Sequence, residues 1–190
     1  MGTITLVPLP GSAASDLPRL GELVGEVFHR RVVIARAWRS VQFAFDVSRA
    51  QHSSRAILAA LLQPGSAAGE RVLGVTGVDL FMPVLTFVFG EAQLGGRAAV
   101  VSTCRLDPPF YGLPPDAELL QERLEKEAIH ELGHTFGLLH CRDNLCVMRS
   151  STYAEELDSK NVGFCAGCLE RVTGGRGAGS RRYQTTTGVR

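Results

Sequence analysis

The chain has 190 residues, 45% hydrophobic and 21% charged, the balance of an ordinary globular domain with a substantial core. Its 20 basic and 19 acidic residues leave a formal charge of +1, which excludes the overall basic bias of a nucleic-acid or membrane-surface binder. The longest apolar stretch, 80–90, contains Pro83 and is too short to cross a bilayer, so no membrane span is expected.

The first ten residues lack a basic segment, and Pro8 and Pro10 interrupt their apolar run, so no secretory leader is read and a cytoplasmic location is expected. Residues 3–7 read as a strand rich in β-branched side chains. Residues 16–30 follow with Leu17, Leu20, Leu23, Val24, Val27 and Phe28 at helical spacing. A second strand is expected over 31–37, a short third over 39–47, and a helix over 51–63 that ends at Pro64-Gly65. Strands are then expected over 71–80, 85–91 and 98–106, with Pro83 marking an irregular segment or a sheet edge.

A helix over 116–136 carries acidic residues in its first turns, favourable against the helix dipole, and Leu120, Leu124, Ala128, Leu132 and Phe136 on its buried face. Strands and helices in this order predict one α/β (α+β) domain over 1–172, with a mixed, twisted sheet and the last long helix packed on it. Residues 173–190 are expected to be a disordered Gly-, Thr- and Arg-rich tail. Its Arg176, Arg181, Arg182 and Arg190 read as a solvated face rather than a nucleic-acid contact.

The end of the 116–136 helix carries the chemistry. His130 and His134 are four apart, hence one turn above the other on one helix face, where two imidazoles can hold one zinc ion. Glu131 directly follows the first of them and can reach a water at the metal without ligating it. Gly137 suits a left-handed helix end, and that turn returns His140 as a third ligand. Three neutral nitrogens leave a fourth tetrahedral position open, the catalytic arrangement of zinc. A buried-core explanation has to place three His and a Glu in one short stretch of a chain with five His.

Four of the five cysteines follow that helix. Cys165 and Cys168 have the two-residue spacing of a zinc knuckle, and Cys141 and Cys146 form a wider pair. Four thiolates close a tetrahedral site, which makes it structural and couples metal binding to the ordering of the C-terminal segment. Two disulfides are the competing reading, disfavoured in a reducing compartment. Cys104 is left over as a small buried residue of its strand, and His29 and His52 receive no role.

The pattern H-E-x-x-H-x-x-G-x-x-H, followed at once by Cys141, then Cys146, Met148 and C-x-x-C, resembles the archaemetzincins, a family in the metzincin clan of zinc peptidases. Residues 78–81, 87–90 and 99–102 also look like that family, and the resemblance covers roughly 70–168. It implies a metzincin-like zincin fold and hydrolysis of a peptide or protein substrate. His130, His134 and His140 would hold the catalytic zinc, and Glu131 would be the general base. Met148 would be the methionine beneath the ligands, a position that read alone is simply core. Cys141, Cys146, Cys165 and Cys168 would bind a second zinc, making two per chain. An extended substrate would add to a sheet edge at 85–91. No nucleic-acid or membrane partner is expected. Two other readings remain open: a zinc-binding interaction module with little hydrolysis, and a non-peptidase zinc hydrolase.

Overall fold

The computed structural model describes residues 2–12, 15–64 and 70–173. Its main sheet contains β1 (Thr3–Pro8), β2 (Arg31–Ile34), β5 (Arg71–Thr76), β7 (Gly90–Ala92) and β8 (Ala98–Ser102), in the order β2-β1-β5-β8-β7. The first four in that order are parallel, and β7 runs antiparallel to β8 at one edge. A small second sheet joins β3 (Phe45–Asp46), β4 (Gln51–Ser53) and β6 (Leu80–Phe81).

The central strands are buried on both faces, and their side chains alternate between two cores. Leu6, Leu73, Val75, Ala99 and Val101 face α1 (Leu17–Phe28) and α3 (Ala117–Thr135). Val7, Val72, Ala98 and Val100 face α2 (Ser54–Leu61) through Ile57, Leu58 and Leu61. Both long helices begin where an aspartate caps them. Asp16 accepts from Arg19 N–H and Asp116 from Leu119 N–H, each at 2.9 Å. Helix α3 is held down by Leu120, Leu124, Ile129 and Leu132, each worth about 1.5–3 kcal/mol of burial. Two short helices, α4 (Glu155–Asp158) and α5 (Ala166–Thr173), follow. Among the described residues no helix is long and apolar enough to cross a membrane.

Several expected elements are shorter or displaced. The strand expected over 31–37 stops at Ile34. Over 39–47 the chain makes a 3-10 turn, Gln42–Ala44, before the two-residue β3. The helix expected from 51 begins only after Ser53, whose hydroxyl caps it by accepting from Ala56 N–H at 3.3 Å, while Gln51–Ser53 pairs in the small sheet. The 98–106 strand ends at Ser102, because Thr103 O takes the N–H groups of Leu106 and Asp107 in a turn. Cys104 therefore lies just past the strand and is half-buried rather than enclosed in it.

The 85–91 segment is the largest departure. Apart from a bridge between Val88 and Leu80, pairing begins only at Gly90. Side chains capture the carbonyls that a strand would use: Arg49 donates to Leu85 O and Thr86 O, and Gln51 donates to Thr86 O at 3.0 Å. Arg105, paired to Asp79 by two bonds of 2.6 and 2.7 Å, stacks over Phe87 and Phe110 and fixes the same segment. The expected tail from 173 lies outside the described residues except for Thr173, the last residue of α5.

Candidate metal centres and cleft

Helix α3 brings His130 and His134 together, and its C-terminal turn returns His140. Gly137 sits at φ 87°, where a Cβ is strained, and its N–H donates to His134 O at 2.9 Å. Leu138 N–H reaches Gly133 O at 3.2 Å, completing the pair of bonds of a Schellman turn. The three imidazole centroids then lie 4.7, 5.0 and 5.3 Å apart, and one nitrogen from each ring lies within 4.8 Å of the others.

Both helical rings are fixed from behind. His130 Nδ1 is 2.8 Å from Val147 O, and His134 Nδ1 is 2.7 Å from Leu138 O. A carbonyl only accepts, so each Nδ1 carries the proton and each Nε2 presents a lone pair. Burial pushes His130 down to about 3 and lowers His134 and His140 as well, so the rings are neutral. The two Nε2 lone pairs therefore face each other at 3.1 Å, an arrangement that is repulsive until a cation lies between them. That separation is close to the edge of about 3.3 Å in a tetrahedron with zinc–nitrogen bonds of 2.0–2.1 Å. The residues fit zinc.

Glu131 is buried, yet it lines an open cleft of about 530 Å³ together with the three His. Strand β7 passes so close that a Cβ at Gly90 would lie 2.5 Å from Glu131 Cγ. One helical turn earlier, Glu127 lies beside Glu131 and also lines the cleft. Burial raises Glu127 to about 7 against the opposing charge of Lys160. Burial, and then the charges of Glu127 and Glu91, hold Glu131 well above the usual carboxylate range. The remaining lining comes from the 82–92 segment, Leu94, Leu139 and Ser150, Ser151 and Thr152. Met148 is fully buried under the histidine helix, and a Cβ at Gly133 would lie 2.5 Å from its Sδ.

Cys141, Cys146, Cys165 and Cys168 form a second cluster, with all four Sγ atoms within 4.8 Å of one another. No pair is joined in a disulfide. Cys141 and Cys165 are 3.7 Å apart, matching the edge of about 3.8 Å in a tetrahedron with 2.3 Å zinc–sulfur bonds. Two backbone N–H groups point at sulfur: Cys165 N–H to Cys146 Sγ at 3.3 Å and Asp143 N–H to Cys141 Sγ at 3.4 Å. Such donors favour the thiolate form a metal requires. Cys104, His29 and His52 belong to neither cluster; His29 ends α1 in a left-handed turn, and His52 packs on Phe45.

The sequence reading did not single out Glu127 or Lys160. Glu127 had a signal, since it lies four residues before Glu131 on the same helix face. Lys160 had none, because only the fold brings its ammonium to Glu127 and Arg149 O.

Residues 39–174 match the model of peptidase family M54. The archaemetzincin of Methanocaldococcus jannaschii is 42% identical over 78% of this chain and 80% of its own length. That of Pyrococcus abyssi is 39% identical over 90% of this chain and 95% of its own. Two solved archaemetzincins share the fold. The structure from Methanopyrus kandleri has a TM-score of 0.79 at 39% identity, covering 91% of this chain and 94% of that one. The structure from Archaeoglobus fulgidus has a TM-score of 0.76 at 37% identity, covering 89% and 99%. The chain belongs to peptidase family M54, the archaemetzincins, and is a zinc metallopeptidase.

Proposed function

We propose that peptide bonds are hydrolysed at the His130, His134 and His140 cluster with Glu131 as general base, and that the four cysteines hold a second, structural zinc. The observation that carries this is the meeting of neutral Nε2 lone pairs beside a buried glutamate in an open cleft. A zinc ion held by the three imidazoles would supply Lewis-acid polarisation of the scissile carbonyl and of a water molecule.

The chain's own groups do the rest. Glu131 accepts the proton of the attacking water and returns it to the leaving amine. Its carboxylate follows His130 directly and lines the same cleft, within reach of a water held beside the three imidazoles. Val147 O and Leu138 O hold His130 and His134 in the tautomer that offers Nε2. Strand β7, antiparallel at the sheet edge and lining the cleft through Gly90, Glu91 and Ala92, offers main-chain groups to an extended peptide. A site of four thiolates suits a reducing compartment such as the cytoplasm.

The test incubates the zinc-loaded protein and its Glu131→Ala variant with a diverse peptide mixture and reads products by mass spectrometry. The expected result is cleavage by the wild type and a loss of about 100-fold or more in the variant at unchanged zinc content. A variant that cleaves at the wild-type rate would sink the assignment of the base. No product from a wild type carrying both zinc ions would overturn hydrolysis in favour of a binding module.

A further inference from the structure

The two clusters share one strip of backbone. Cys146 contributes a sulfur to the thiol cluster, and the carbonyl of the next residue, Val147, is the acceptor that fixes His130. Met148 follows, with its sulfur beneath Gly133 and its carbonyl accepting from Cys141 N–H at 2.9 Å, next to the ligand His140. All three residues of the strip are essentially inaccessible to solvent.

Neither helix nor strand holds this strip in place. Two of its other anchors also lead to the thiol cluster. Val147 N–H donates to Gly163 O at 3.2 Å, two residues before Cys165, and Cys165 N–H donates to Cys146 Sγ. His134 differs, because its acceptor Leu138 O belongs to the turn that ends α3. One helical ligand is therefore positioned by the helix end, and the other by a strip that the cysteine cluster helps to order.

We propose that a metal ion in the Cys141, Cys146, Cys165 and Cys168 cluster positions the Val147 carbonyl, so that filling the thiol site raises the affinity of the histidine site for its own ion. This rests on the reading that both clusters take a divalent metal. Removing an outer partner of a metal-bound imidazole costs 10–100-fold in affinity as a rule, and the same range is expected here. Linkage makes the coupling reciprocal: metal at the histidines strengthens the thiol site by the same factor.

The experiment exchanges cobalt(II) into the full-length protein against a graded series of chelators. Thiolate ligands give cobalt a charge-transfer absorption that imidazoles do not, so the two sites are read separately. Cys168→Ser removes one ligand on α5 and leaves the 146–148 strip unaltered. In that variant the histidine site should bind cobalt about 10–100-fold more weakly, with far-UV circular dichroism reporting that the fold is kept. His140→Ala supplies the reciprocal arm, with thiol-site affinity falling by the same factor, and it decides the matter if the cysteine variant does not fold. Affinities within twofold of wild type in either folded variant overturn the coupling. A wild type that binds cobalt at neither cluster overturns the metallopeptidase site itself.

Discussion

Replacing Gly133 by alanine tests whether Met148 is packed against the histidine helix as tightly as the structure shows. In an open helix this change gains up to about 1 kcal/mol from backbone propensity. Here the new methyl would lie 2.5 Å from Met148 Sδ, 3.2 Å from its Cε and 3.3 Å from Phe164 Cε1. Carbon contacts are optimal at roughly 3.5–4.0 Å, so the sulfur of the fully buried Met148 has to retreat by about 1 Å. Overpacking of that kind costs about 1–3 kcal/mol, which leaves a net loss of about 0–2 kcal/mol after the propensity gain. A loss of 1 kcal/mol in a chain of this size lowers the melting midpoint by about 2–4 °C. In a Met148→Ala background the obstacle is gone and the substitution should change sign, becoming stabilising. The assay is a double-mutant cycle by urea denaturation at fixed free zinc, with an expected coupling of about 1–3 kcal/mol. Equal stabilisation by Gly133→Ala in both backgrounds would refute the packing argument.

Two further substitutions probe the supports of the site. Gly137→Ala forces a Cβ onto φ 87° and should cost about 1–2 kcal/mol, shifting His140 so that zinc leaves the histidine cluster at lower chelator concentration; unchanged zinc retention would contradict the role of the turn. Arg123→Ala removes two bonds to Asp158, 2.8 and 2.7 Å, which pin α4 to α3, and one to Leu106 O at 3.0 Å, which holds the turn after β8. With the Arg123 side chain buried and Asp158 partly solvated, a loss of about 2 kcal/mol is expected in urea denaturation, and a loss under about 0.5 kcal/mol would contradict it.

The histidine site was legible in the sequence because its parts are local. Two of the histidines and Glu131 lie on one turn of one helix, and Gly137, which ends that helix, brings in His140 three residues later. The Cys-x-x-Cys spacing was legible for the same reason. Helices α1 and α3 announced themselves through their apolar period, and α3 also through the acidic residues of its first turns. The sheet edge was not legible. Residues 85–89 have the composition of a strand, yet Arg49 and Gln51, distant in sequence, take the carbonyls of Leu85 and Thr86, and Arg105 stacks on Phe87. Residues 51–53 were absorbed into the helix that follows because only their pairing with Phe45 and Leu80 makes them a strand. Lys160 was invisible because its position beside Glu127 is set by tertiary packing.

Zinc-edge anomalous diffraction from crystals of the zinc-loaded protein tests the central claim most directly. The account predicts two peaks, one about 2.0–2.1 Å from the Nε2 atoms of His130 and His134 and from a ring nitrogen of His140, the other about 2.3 Å from the sulfurs of Cys141, Cys146, Cys165 and Cys168. A histidine cluster without a peak, or cysteines joined to one another as disulfides, would contradict it.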